Sequence, residues 1–410
     1  MNSGGQIHGR AGVDAHLVEG GHAVRAAAGH RLHQPIRLLN LGGSMLNESV
    51  LEQLRDRVRQ EMEDGPLEGA SFAVGHDGDV VIAEGYGKAT PETPIVMMSP
   101  SKTVQDAALW LLISEGALRP EDPVAVHIPE FAANGKDAVT IEHVMTHTAG
   151  FPFPPLDWPE WADRGKRLQA FVSWTLDYEP GTQYGYHPAS GSWVLAEAIA
   201  RVTGTDHRDF LRSRVLEPLG VAGINGVSLG EPVTEQAKVL EHTYALPEET
   251  AALLPPMFRA PDGTIRAPGG LGEPEGRAAG FPGAGCVGTP SGLARLYQAY
   301  LHNPGRLWDP AVLADATGRI RVNRPGHVQR TLSMYVAGQP SARPGSEQQF
   351  FGSAVSPRAF GHDGQGGNIV WADPDSGLSF AFLTNTVTFM PGQPNGRAAE
   401  LSTLAGRLLS

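Results

Sequence analysis

The first regular pattern along the chain is helical. Val50, Leu51, Leu54, Val58 and Met62 share one face, Asn47 stands where an N-cap belongs, and Gly65-Pro66 stops the run. The period then changes. Residues 70–75 and 79–85 read as strands, and His76-Asp77-Gly78 between them is a hairpin signal. An apolar run beginning at Thr103-Val104 predicts a helix that carries Lys102 and ends at Gly116. Asp122-Pro123 and Ile128-Pro129-Glu130-Phe131 read as loop, and residues 141–147 as a short helix closed by Ala149-Gly150. Helical spacing returns over 168–176, over 190–202 with Gly204 as its stop, and over 206–215; residues 226–285 are loop-rich and 291–301 form another helix. Strand-like runs at 332–336, 367–372 and 378–384 follow, the last two joined by Asp373-Pro374-Asp375-Ser376-Gly377, before a final helix over 397–409.

Strands near both ends with helices between them predict an α+β fold. One antiparallel sheet is built from both ends of the chain and flanked by the terminal helices, with a mainly helical region inserted. The sheet part covers about 46–98 and 330–410, the helical part about 99–329. Residues 1–45 carry Gly, Ala and His without a periodicity that could bury a face, so they are expected to be a disordered tail, and Met45 is a candidate natural start. The segment Phe151-Pro152-Phe153-Pro154-Pro155 with Trp158 and Trp161 is too proline-rich for a regular element and too aromatic for a solvated loop. It is either a cover for the core or a wall of an apolar substrate pocket.

Composition removes several function classes. A net charge of −12 with no basic run argues against a nucleic-acid partner. The single cysteine, Cys286, forbids an internal disulfide and favours a reducing compartment. No stretch is apolar for the ~20 residues a membrane span needs, and no secretory signal is read at the N-terminus. The expectation is a cytoplasmic protein with no membrane partner and an open oligomeric state.

The chemistry centres on Ser99-Pro100-Ser101-Lys102. On a helix, residues three apart share a face, which sets a hydroxyl beside an amine. A serine becomes a nucleophile when a neighbour takes its proton, and a lysine can do so once burial or a nearby cation lowers its pKa. Of Lys88, Lys102, Lys136, Lys166 and Lys238, Lys102 alone has a serine three residues before it. Ser-x-x-Lys is also short enough to arise by chance as an N-cap serine and a solvated lysine.

Further motifs decide. Val139-Thr140-Ile141-Glu142-His143-Val144-Met145-Thr146-His147-Thr148-Ala149-Gly150, Glu179-Pro180-Gly181-Thr182-Gln183-Tyr184-Gly185-Tyr186, and Phe360-Gly361-His362-Asp363-Gly364 followed by Asp373-Pro374 stand in order behind the Ser99 tetrad. From about residue 47 to the end, this order resembles the serine β-lactamase and penicillin-binding protein family, in particular its class C-like, family VIII type esterase branch. The resemblance implies a β-lactamase-like fold, an acylated Ser99, Lys102 as its partner base and Tyr186 as the second member of the acid-base pair. It also implies an oxyanion site at the backbone N–H groups of Ser99 and Gln365, with His362 and Gly364 on the adjoining strand. A lysine ammonium beside Tyr186 is expected to lower the phenol's pKa. Phe153, Trp158 and Trp161 become candidate acyl-pocket walls. No metal or cofactor is implied.

The sequence departs from the family pattern at three positions. Ala149 replaces a serine, Pro188 stands where β-lactamases carry Asn, and no lysine follows Lys238, so His362 occupies the place of the Lys-Thr/Ser-Gly lysine. The last two changes favour ester cleavage over β-lactam or peptide turnover. Rival motifs fail on context. Gly226-Val227-Ser228-Leu229-Gly230 matches a nucleophile elbow with Asp309 and His362 downstream, but strand and helix do not flank it, so Ser228 is read as a loop serine. His143 and His147 are four apart, yet Val144 stands where a zinc protease has Glu. The expected function is a serine hydrolase acting on a small-molecule ester. The alternatives are a β-lactam or amide hydrolase or acyltransferase of the same fold, and an inactive binding domain.

Overall fold

Helix α1 (Glu48–Glu63) forms where the apolar spacing predicts it, with the Asn47 side chain accepting from the Val50 N–H at 3.2 Å and Leu51, Leu54 and Val58 buried. A computed structural model of the chain describes residues 46–246, 248–252, 263, 265, 267–324, 327–388 and 396–409. The expected tail, its histidines and Met45 lie outside the described residues. After α1 come strands β1 (Gly69–His76) and β2 (Asp79–Gly87), paired antiparallel. The left-handed φ of Asp77 (51°) and Gly78 (85°) closes their hairpin tightly, as the Asp-Gly pair requires.

The two-residue strand β3 (Ile95–Val96) leads to α2 (Ser101–Ser114). The segment expected to be loop instead holds α3 (Val124–His127) and a 3-10 turn over Pro129–Gly135. Pro129 opens that turn, since its fixed φ and missing N–H suit a first helical position. Then follow α4 (Ile141–Met145), α5 (Arg164–Ser173), α6 (Ser190–Thr203), which Gly204 caps at φ 69°, and α7 (His207–Leu211). The loop-rich stretch contains β4 (Val227–Leu229), α8 (Val233–Gln236), β5 (Thr243–Tyr244), α9 (Glu248–Ala252) and α10 (Pro274–Ala278). Beyond it lie β6 (Cys286–Gly288), α11 (Pro290–His302), α12 (Pro310–Gly318), β7 (Val322–Arg324), β8 (Val328–Arg330) and β9 (Tyr335–Val336). The chain closes with β10 (Phe360–Gly364), β11 (Asn368–Ala372), β12 (Ser379–Thr384), β13 (Thr386–Val387) and α13 (Gly396–Ala405).

The main sheet runs β2-β1-β12-β11-β10-β9-β8-β7, antiparallel throughout, so both ends of the chain do build it. Phe72, Phe380, Phe382 and Trp371 pack under the terminal helices with Leu51 and Leu401. On the opposite face Ala73, Ala381 and Val370 meet the helical region. Small residues on that face let α11 approach closely enough for the Ser379 hydroxyl to donate to the Ala294 carbonyl at 2.9 Å. The strand expected over 332–336 shortens to Tyr335–Val336, because Thr331 Oγ1 accepts from the Ser333 and Met334 N–H groups and folds 331–334 into a turn.

A second sheet, β3-β6-β4, has no counterpart in the sequence reading. It corrects one assignment: Ser228 is a buried residue of β4, its hydroxyl donating to the Val287 carbonyl at 3.3 Å. Isolated three-residue strands give too short a period to read, which is why it passed for loop. Among the described residues, no helix is long and apolar enough to cross a membrane.

Candidate active site

Helix α2 is enclosed on every side, Ser101 through Leu112 all being buried, which makes it the central post of the molecule. Polar side chains around it fix its height. Tyr297 donates to the Thr103 hydroxyl and Tyr300 to the Thr103 carbonyl, both at 3.0 Å, while Trp308 donates to the Ala107 carbonyl at 2.9 Å. Ser101 Oγ accepts from the Cys286 N–H at 3.0 Å and ties the helix start to β6.

Ser99 lies in the turn between β3 and α2, half-buried, just ahead of the helix. The Lys102 N–H donates to the Ser99 carbonyl at 3.0 Å, so the three-residue relation survives as a turn. Met98, immediately before, has φ 59°. A non-glycine residue held there stores strain of about 1–3 kcal/mol, of the kind that clusters at functional sites.

Lys102 is 4% exposed, and its Nζ donates to the carbonyls of Pro188 (2.9 Å) and Gly283 (2.7 Å). Two acceptors match the two N–H bonds of a neutral amine and leave its lone pair free. Burial, reinforced by the charge of Arg330 and opposed by Asp106, lowers its pKa to about 7. Nζ also sits 5.0 Å from the centre of the Tyr186 ring.

Tyr186 behaves differently from the expectation. Burial raises its pKa well above that of a free phenol, outweighing the Ser99 hydroxyl and the Arg330 charge, which pull it down. A lysine that is only part protonated near neutrality gives weak support to a phenolate, and burial outweighs it. The phenol therefore stays protonated at rest. Ser99 is near enough to act on it, yet its hydroxyl closes no hydrogen bond of full geometry.

The Tyr186 loop is pinned by two histidines. His187, fully buried, donates from Nδ1 to the Gly185 carbonyl at 2.5 Å and accepts at Nε2 from the Phe151 N–H at 3.2 Å. His147, at φ 61°, accepts at Nδ1 from the His187 N–H at 3.2 Å and lays its ring 4.6 Å from that of Tyr186. Burial holds both imidazoles neutral, with His187 lowered to about 4 and His147 well below its ordinary value. His143, the other half of the rejected zinc pair, belongs to a capping box with Thr140. Among the described residues, no group of His, Cys, Asp and Glu could hold a metal. Asp309 serves as the N-cap of α12 and is remote from any triad role.

Strand β10 lies beside this group. Its end packs against the Ser99 turn so tightly that a Cβ on Gly364 would fall 2.8 Å from Pro100 Cδ and 3.0 Å from the Met97 carbonyl oxygen. Gln365 opens the turn that follows. Asn368 donates to the carbonyls of Val96 (3.0 Å) and Met97 (3.2 Å), clamping β3 to β11. His362 is 1% exposed; its Nδ1 donates to the Asp363 carbonyl at 2.6 Å, while Nε2 has no partner and the ring faces Tyr186 and Tyr335. Burial and the cations Arg330 and Lys102 keep it neutral.

The aromatic candidates divide. Trp161 is buried between Trp158, Trp193 and Phe281, and Phe281 packs on the Gly283 turn whose carbonyl holds Lys102. Trp158 is half-buried against Trp161 and Gly270. Phe153, by contrast, is 78% exposed. Phe151 fills the core slot beside Phe131 and Trp174, leaving Phe153 outside. Sequence reading also missed Asp106, Arg330, His187 and Asn368. Asp106 was detectable, lying one helical turn after Lys102; Arg330 and Asn368 carry no local signal.

Comparison with known proteins bears on the family and the fold. A family model described as beta-lactamase matches residues 54–405. The chain is 28% identical over 348 residues to the esterase/beta-lactamase LipL of Mycobacterium tuberculosis, covering 77% of each. It resembles the crystal structure of a penicillin-binding protein homologue from Caulobacter crescentus (TM-score 0.71, 27% identity, 88% of this chain and 98% of that one). A family VIII carboxylesterase shares the fold (TM-score 0.72, 24% identity, 88% and 98% coverage). The central post, the antiparallel sheet and a match across most of the chain place the protein in the beta-lactamase family, as a hydrolase of that fold.

Proposed function

We propose that the protein cleaves carboxylic esters through an acyl-Ser99 intermediate. The observation that carries this reading is the opposite displacement of two neighbouring groups: Lys102 is lowered to about 7, while Tyr186 is raised. Pairs whose environments push their pKa values apart divide the base and acid roles between them. Neutral Lys102 takes the Ser99 proton as Oγ attacks the ester carbonyl. The Tyr186 hydroxyl protonates the departing alkoxide, and the Lys102 ammonium returns its proton to the phenolate. Water then repeats the sequence in reverse and frees the acid. The tetrahedral oxyanion would rest on the Ser99 and Gln365 N–H groups, each such donor contributing about 3 kcal/mol.

Ester selectivity follows from what the cleft lacks. Pro188 presents a carbonyl that Lys102 already occupies, with no side-chain amide for a β-lactam's acylamino arm. Neutral His362 offers no charge to a substrate carboxylate. The name of the relative LipL supports β-lactam hydrolysis as a second reading. Ser99→Ala and Ser228→Ala should be compared on p-nitrophenyl butyrate, with nitrocefin alongside. Loss of turnover in Ser99→Ala alone is expected; loss in Ser228→Ala alone, or dominant nitrocefin turnover, would reject the assignment. Failure of a fluorophosphonate probe to label Ser99 would favour an inactive binding domain.

A further inference from the structure

Arg330 ends β8 and is 1% exposed, yet its guanidinium is poorly matched by its surroundings. Nη2 donates to the Ser333 carbonyl at 2.9 Å, while Nε and Nη1 have no hydrogen-bond partner. Its carbon centre lies 4.2 Å from the Tyr335 ring. An arginine kept for structure alone would saturate its donors, since an uncompensated buried charge is strongly destabilising. Arg330 also makes no ion pair within 4 Å among the described residues. It is a cation held in the interior without a counter-ion in contact.

Two routes connect it to the base. The Tyr335 ring stacks edge-on to His362 at 4.9 Å, His362 faces Tyr186 at 6.1 Å, and Tyr186 lies under Lys102. On the other side, Ser333 accepts through Oγ from the Trp110 indole at 3.1 Å and bonds to Asp106, both on the helix that carries Lys102. The groups that feel Arg330 come from every element around it. From α2 these are Lys102 and Asp106; from β10, His362 and Asp363; His147 and the phenols of Tyr184, Tyr186, Tyr297 and Tyr335 line the rest, and Glu347 accepts from Tyr184 and Tyr335. Asp106 favours the ammonium form of Lys102, but its own carboxyl is raised to about 7 by burial and so is only part ionised near neutrality.

We propose that Arg330 is a positioning residue for the base, its enclosed charge holding the Lys102 amine in the neutral form that can take the Ser99 proton. The proposal rests on the acyl-serine reading for its purpose, but its physical content is the protonation of one lysine. Like charge disfavours the ammonium, so removing Arg330 must raise the pH at which Lys102 deprotonates.

The test is a titration of Lys102 in protein labelled with 13Cε-lysine, which shows signals from few lysines, in parallel with pH–rate profiles on p-nitrophenyl butyrate. In Arg330→Met and Arg330→Gln the Lys102 titration and the acid limb of kcat/KM should move up together by about one pH unit, or ~10-fold in rate at pH 6. An unmoved Lys102 titration in the neutral variants would overturn the proposal. So would failure of both neutral variants to fold, which would make Arg330 a structural ion. Absence of ester turnover in the unaltered protein would count against the functional reading alone, because the lysine titration does not depend on turnover.

Discussion

Replacing Lys102 by Met separates what the lysine does for activity from what it does to stability. In the folded protein its pKa falls from 10.5 to about 7. At pH 7 this raises the neutral fraction from about one in three thousand to about half. The same shift opposes folding, because the unfolded chain, with a lysine pKa near 10.4, binds the proton more readily. The folded pKa is depressed, so the penalty is complete below pH 7 and relaxes as pH rises toward the unfolded value. Integrated from pH 7 to pH 9, the relaxation amounts to about 2 kcal/mol in favour of the unaltered protein. Lys102→Met has no such term, though it leaves the Pro188 and Gly283 carbonyls without a donor at every pH. Urea unfolding of both proteins at pH 7, 8 and 9 gives the difference directly, while ester turnover should vanish in the variant. A stability difference that is flat across this range would refute the picture of a desolvated, neutral Lys102.

Three other perturbations probe the surroundings. Asp106→Asn removes the carboxylate that favours the Lys102 ammonium, so the acid limb of kcat/KM should move to lower pH, opposite to the Arg330 variants; an upward move would contradict the assigned charges. Gly364→Ala should lower kcat/KM by ~10²-fold while the thermal transition stays within a few degrees, since its Cβ displaces β10 from Pro100 and Met97; retained activity would show that β10 does not form the oxyanion site. His187→Ala leaves the Gly185 carbonyl and the Phe151 N–H unsatisfied and should destabilise the protein by about 3 kcal/mol in denaturant titration. His187 is depressed to about 4, so the stability of the unaltered protein should fall as pH drops from 6.5 toward 4, and this variant should lose part of that slope.

The frame of the molecule was legible because its signals are local. Asn47 and the apolar stripe behind it gave α1, and Asp77-Gly78 gave the hairpin whose two left-handed residues the backbone adopts. Helix α2 was readable as a long apolar run. Elements of two or three residues were not, because β3 and β4 exist only through pairing with β6, a strand far from both along the chain. Ser228 was misplaced for that reason. The exposure of Phe153 was not readable because composition does not say which of two neighbouring phenylalanines takes a core slot. The protonation of Tyr186 was the deeper miss: the family resemblance implies a lysine beside a tyrosine, but burial decides which of them carries charge, and burial is a property of the whole fold.

The charge distribution also explains how the site manages without a lysine on its last strand. His362, in that place, is enclosed and neutral, so it cannot act as the missing cation. Positive charge reaches the cleft from Arg330 instead, from behind the Tyr335 ring and with its free donors shut away from solvent. A cation on the strand surface can both bind a substrate carboxylate and bias the catalytic groups. A cation in the interior keeps the second effect and gives up the first, because no substrate atom can reach it to form a bidentate pair. With His362 neutral and Arg330 enclosed, the proposed field on Lys102 is kept without a cation exposed to a substrate carboxylate. Engineering Lys at position 362 should therefore increase affinity for carboxylate-bearing esters over neutral ones of the same acyl chain. A KM ratio unchanged between the two substrates in His362→Lys would sink this account of selectivity.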